Sequence, residues 1–136
     1  MTLAENPAAR QPIGNYKHLI VWQKAVALVT NVHRVTKNFP PSELYGIVSQ
    51  LRRSAVSIPS NIAEGQGRAT KGEFLQFLGH ARGSLCELET QIIIAGNLGY
   101  ISEEIGDRLA SEITEVARIL NGLLTSLGAK ARGTNR

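Results

Sequence analysis

A chain of 136 residues, 43% of them hydrophobic, is long enough for one domain around one core and too short to suggest two. Aromatic residues make up 5%, so the core must be aliphatic and a ring-lined cofactor pocket is disfavoured, while a formal charge of +4 leans toward anionic partners. One cysteine, Cys86, cannot close an internal disulfide, and with no basic-then-apolar leader and no apolar run of membrane length the expected compartment is the cytoplasm.

Residues 1–15 carry Pro7, Pro12 and Gly14 without an apolar period, which predicts a mobile arm. Helical spacing starts at Tyr16 or His18 and runs to Asn38. Trp22, Ala25, Val29, Val32 and Thr36 mark its line, Leu28 and Val35 widen it, and Phe39 followed by Pro40 and Pro41 stops it. Ser42 is placed to cap a second helix, with Glu43 in its first turn, that continues to about Glu64. Its seam is Leu44, Val48, Leu51, Ala55, Ile58 and Ile62; Ser54, Ser57 and Asn61 form a small polar stripe along which another helix can approach. Pro59 removes a backbone donor, which predicts a bend there with Ser57 or Ser60 turning a hydroxyl to the freed carbonyls.

Gly65 and Gly67 break the second helix, and Thr70 with Glu73 makes a capping box for the third. The third seam is Phe74, Phe77, Ala81, Leu85, Leu88, Ile92 and Ala95, ending near Gly96 or Gly99. Gly79 and Gly83 share a face inside this helix, each costing about 1 kcal/mol against alanine, and close approach of a neighbouring helix is the expected compensation. Ser102 caps the fourth helix, whose line is Ile105, Leu109, Ile113, Val116, Leu120, Leu123 and Leu127 before Gly128 closes it. Four long helices joined by short turns predict an all-α, antiparallel up-and-down four-helix bundle over residues 16–128, with a basic flexible tail at 129–136.

The charges are segregated. Residues 16–86 hold nine basic and three acidic side chains, residues 87–127 two basic and seven acidic, so the chain can present a basic side to a polyanion or to the acidic side of another copy. His80, Ser84 and Glu87 lie a turn apart on one helix face, but a straight helix leaves no backbone donors for an oxyanion hole, which argues against catalysis. His18, His33 and His80 are far apart in sequence with no metal-ligand spacing, so no metal or cofactor is expected. Cys86, beside the seam, reads as a small buried hydrophobe. The turn EGQGRATKGEF combines glycines, Arg68, Lys71 and a helix start, ingredients equally of an anion contact and of an ordinary cap with solvated cations. Arg52, Arg53 and Arg82 are bracketed by core positions; Glu64, Glu87 or Glu89 is expected to hold at least one of them, leaving the others for phosphates.

The run SAVSIPSNIAEGQGR at 54–68, the run FLQFLGHARGSLCELETQ at 74–91 and the start YKHLIVWQKAVALV at 16–29 resemble the four-helix-bundle proteins encoded within intervening sequences of bacterial 23S ribosomal RNA genes. Asn61, Glu64, Gly65 and Gly67 match that family's N-x-A-E-G-x-G pattern, and Gly83, Ser84, Leu85, Glu87 and Leu88 its G-S-x-x-E-L pattern. The resemblance implies a small helical protein that assembles as a ring, a homopentamer, with a basic surface that binds RNA and no catalytic residue. The chain is also similar to the accessory variability protein of diversity-generating retroelements, which shares the bundle and ring and works beside a reverse transcriptase and its RNA. The leading expectation is a non-enzymatic, oligomeric, RNA-associated bundle using Arg52, Arg53, Arg68, Lys71 and Arg82. An assembly scaffold with a protein partner is the alternative, and an enzyme with a site between protomers a distant third.

Overall fold

The structure, a computed structural model, describes the backbone over residues 15–134 and side chains over residues 16–128. A short 3₁₀ turn at Asn15–His18 leads into α1 (Ile20–Thr36); a second at Pro41–Glu43 precedes α2 (Ile47–Gln66); α3 (Lys71–Asn97) and α4 (Glu103–Thr134) complete a helical bundle with no strand among the described residues. Of the arm expected at residues 1–15, all but Asn15 lies outside the described residues.

Each helix packs on two neighbours, α2 on α1 and α3, and α4 on α3 and α1, and among the described residues no diagonal pair of backbones comes as close. Contacts between α2 and α3 run in opposite chain senses, Ser54 meeting Gln91, Ser57 meeting Ser84, and Gly65 lying against Phe77. At one end of the bundle Val35, Leu51, Ile92 and Leu109 converge on a small void, which brings together the C-terminal ends of α1 and α3 and the N-terminal portions of α2 and α4. Leu28, Leu51, Ile58, Ile62, Leu78, Leu88 and Leu120 are fully buried. Each withdraws about 1.5–3 kcal/mol of apolar side chain from water, the main term holding the four helices together.

Of the expected seams, Val48, Leu51, Ala55, Ile58 and Ile62 of α2 and Leu109, Ile113, Val116 and Leu120 of α4 are buried, while Ile105, Leu123 and Leu127 are partly buried and Leu44 is 46% exposed. Pro40 and Pro41 open a 3₁₀ turn in which Glu43 N–H bonds Pro40 O and Leu44 N–H bonds Pro41 O, so Ser42 caps nothing and α2 starts only after Gly46. Pro59 sits buried inside a helix that runs unbroken to Gln66. Ser57 Oγ pairs with Ser84 Oγ rather than with a freed carbonyl, and Asn61 Nδ2 donates to Ser57 O. In α1 the buried line is Val21, Ala25, Leu28, Val32 and Thr36; Trp22 and Val29 flank it, Trp22 meeting the ring of Tyr16 edge-on at 5.3 Å.

The α3 start is as the sequence predicts, Thr70 Oγ1 accepting from Glu73 N–H at 3.1 Å. Its end uses Gly99 at φ +79°, the left-handed conformation that suits glycine, which lets Tyr100 N–H bond Ala95 O at 2.9 Å. Ser102 Oγ accepts from Ile105 N–H at the start of α4, and α4 continues through Gly128, where the sequence placed its end, to Thr134. Gly79 and Gly83 do not mark a close approach within the chain, since nothing lies within 4 Å of a Cβ added at either. Gly65 does, its added Cβ falling 2.8 Å from Phe77 Cβ and 2.9 Å from Phe74 Cδ1.

Candidate nucleic-acid interface

The five predicted phosphate contacts do not converge. Arg52 is half-buried at the start of α2, its Nε donating to Thr36 Oγ1 at 2.9 Å and pinning the end of α1. Arg53, one residue on, is exposed on the outer face of α2. Arg68 lies beyond the other end of that helix, about 22 Å away at 1.5 Å per residue. Its guanidinium pairs with Glu64 at 2.7 Å and sits 4.7 Å from the centre of the Phe77 ring. Lys71 opens α3 beside it, exposed, and Arg82 is exposed three turns further on. Arg82 shares a stripe with Glu89 and Ile93 at the edge of α3 that turns toward α4, whereas Ser84 and Gln91 mark the edge facing α2.

Of the five, Arg53, Lys71 and Arg82 make no ion pair or side-chain hydrogen bond among the described residues. Arg68 is the one held by a carboxylate. Glu64 thus serves Arg68 and not Arg52, Arg53 or Arg82, and Glu87 accepts instead from Gln91 Nε2 at 3.2 Å. On the opposite side of the bundle Lys24 pairs with Glu115 at 2.8 Å, and that ammonium holds the Glu115 carboxyl below its usual range. Glu112, also from α4, accepts from Asn31 Nδ2 at 2.6 Å while its second oxygen is buried without a partner among the described residues.

The residues that looked like a nucleophile and its base are used otherwise. Ser84 Oγ is tied to Ser57 Oγ at 2.8 Å, His80 is exposed with its ring edge-on to Phe77, and Cys86, expected to be buried, is exposed. Among the described residues no group of His, Cys, Asp and Glu is placed to hold a metal ion, and no helix is long and apolar enough to cross a membrane.

The arrangement between α2 and α3 is what the sequence motif encodes. Asn61 Nδ2 bonds both Ser57 O and Ser57 Oγ, Gly65 lets α3 close on α2, Gly67 N–H turns back onto Ala63 O and Glu64 O, and Ser84 completes the hydroxyl pair. The family model of the 23S rRNA-intervening sequence protein matches residues 17–122, which include all of these positions. The chain belongs to this family. A crystal structure of a protein of unknown function from the S23 ribosomal protein family of Bacteroides thetaiotaomicron is similar, with a TM-score of 0.70 and 20% identity over 77% of this chain and 98% of that one, a likeness of fold. None of the curated proteins matches the chain.

Sequence reasoning missed two features of this intervening-sequence-family bundle. One is Tyr45, 92% exposed, whose only signal was its place between a double proline and a glycine. The other is a groove of about 390 Å³ between the end of α3 and the start of α4, signalled by Glu89, Glu103 and Asp107 alternating with isoleucines.

Proposed function

We propose that this protein is a non-enzymatic, oligomeric RNA-associating bundle of the cytoplasm, in which Arg53, Lys71 and Arg82 contact phosphates and Arg68 joins them by exchanging Glu64 for a phosphate. The observation that carries the reading is that three exposed cations of the basic segment, residues 16–86, have no ion pair or side-chain hydrogen bond among the described residues. Arg52, held by Thr36, contributes least. Among the described residues Tyr45 is the one largely exposed aromatic ring, too few to interleave these cations as a stacking platform, so recognition follows shape and charge more than base identity.

The test is a mobility-shift or anisotropy titration with a structured RNA across a salt series. Four phosphate contacts give a slope of log affinity against log salt of roughly −3 to −4, and each of Arg53→Ala, Lys71→Ala and Arg82→Ala lowers its magnitude by about one. Absence of binding at low salt, or binding indifferent to salt, refutes the proposal.

An assembly scaffold is the second reading, favoured by the outer face of α3. There Gly79, Gly83, Cys86, Thr90, Ile93 and Ile94 form an uncharged strip with open space above both glycines. A single-chain mass in light scattering at micromolar concentration removes it, and with it the oligomeric part of the first reading.

A further inference from the structure

Two features at the same end of the bundle have opposite character. The groove between α3 and α4 has an apolar floor of Ile92, Ile93 and Ile101, a rim of Glu89, Glu103 and Asp107, and no basic residue in its lining. Across the molecule the α1–α2 connection projects Tyr45 and the 46% exposed Leu44. That projection is rigidly built. Pro40 and Pro41 begin its 3₁₀ turn, Gly46 N–H bonds Glu43 O at 3.0 Å, and the hydroxyl of Tyr100 donates to Glu43 at 2.8 Å. The nearby acid is therefore occupied, while Lys37 at the end of α1 and Arg53 early in α2 remain exposed.

We propose that the occupant of the groove is Tyr45 with Leu44 from a second copy of this chain. This rests on the oligomeric part of the reading above and deepens it by naming the contact. The ring of Tyr45 covers the isoleucine floor, its hydroxyl donates to a rim carboxylate, and Lys37 faces the remaining acids, which is the complementarity expected of a specific contact between copies and leaves Arg53 to its phosphate. A tyrosine held on a stiff turn loses little conformational freedom on docking, the condition under which one aromatic side chain dominates an interface. Because projection and groove differ, the contact is head-to-tail. Because they lie at one end of the bundle, repeating it displaces copies sideways with little shift along the helices, a geometry that closes into a ring.

The experiment uses the full chain with Cys86→Ser as background. Leu44→Cys and Ala110→Cys chains, which keep the Tyr45 anchor and of which the latter is altered at the groove wall, are prepared separately, mixed and oxidised. A disulfide-linked dimer in the mixture and in neither chain alone is the expected result, and Tyr45→Ala should reduce the mass in light scattering to that of one 14.7 kDa chain with helical content unchanged. An oligomer that yields no mixed disulfide and survives Tyr45→Ala overturns this contact and leaves assembly standing. A Leu44→Cys chain that cross-links to itself replaces the contact with a symmetric one. A wild-type chain that is monomeric overturns both the contact and assembly.

Discussion

Replacing Gly65 by alanine tests whether the α2–α3 crossing is as close as the structure has it. The added methyl carbon would lie 2.8 Å from Phe77 Cβ, 2.9 Å from Phe74 Cδ1 and 3.3 Å from Phe74 O. Optimal carbon–carbon separation is about 3.5–4.0 Å, so the two helices must part by close to 1 Å or Phe74 must leave its rotamer. The Phe74 ring can yield, but Phe77 Cβ and Phe74 O move only with the α3 backbone. Overpacking of this kind costs about 1–3 kcal/mol, and alanine returns at most about 1 kcal/mol in helix propensity, less in the last turn of a helix. The expected net loss is about 1–2 kcal/mol, a fall in Tm of roughly 3–8 °C, read by far-ultraviolet circular dichroism during thermal unfolding. Gly122→Ala is the control, because that glycine is exposed on α4 with nothing within 4 Å, and it should raise stability by up to about 1 kcal/mol. If Gly65→Ala melts at or above the wild-type temperature, the close crossing is wrong.

The Ser57–Ser84 pair should give a coupling of about 0.5–1.5 kcal/mol in a double-mutant cycle with alanine, measured by denaturant unfolding, and no coupling would mean the hydroxyls do not meet. Tyr100 donates to Glu43, and that bond together with burial and the neighbouring negative charge raises its phenol above the ordinary value. Its contribution to stability is therefore complete below the unfolded-state pKa and lost as pH rises through the higher folded value, and the high-pH tyrosinate absorbance of Glu43→Gln should titrate earlier than that of wild type. Glu115 has the opposite sign: its carboxyl is lowered first by the hydrogen bond from Lys24 and then by its charge. Its contribution is present above the unfolded pKa and lost as pH falls through the folded value, and Lys24→Ala should return its NMR titration toward the ordinary carboxylate range with little change in Tm, the pair being solvent-exposed.

The helices were legible because aliphatic residues recur at helical spacing and the punctuation is local: Thr70 with Glu73, Ser102 and Gly99 act where they stand in the sequence. Faces were less secure where a residue is covered by something outside its own helix. Trp22 has the bulk of a core residue, yet the Tyr16 ring in the preceding turn meets it at the margin and Val21 takes the central place. Periodicity inside one helix cannot register that contact. The same limit explains the glycines. Gly65, Gly79 and Gly83 look alike in a sequence, and only the placement of α3 shows that the first is filled against phenylalanines while the other two face open space.

The cations present a harder version of this problem. Charge counts separated a basic from an acidic part of the chain, but an ion pair depends on which helix edge faces which neighbour. Glu64 reaches Arg68 because they are four apart at the end of α2, and that local pairing withdraws the carboxylate from Arg52, Arg53 and Arg82. The family pattern points the same way. Asn61, Gly65, Gly67 and Ser84 make their contacts within or between α2 and α3, so changing them should disturb the fold before it disturbs any partner. Gly83 apart, whose face is open, the pattern by which the chain is recognised is largely internal wiring, and Arg53, Lys71, Arg82 and Tyr45 are exposed positions that it does not include, so a binding test must vary them and not the pattern.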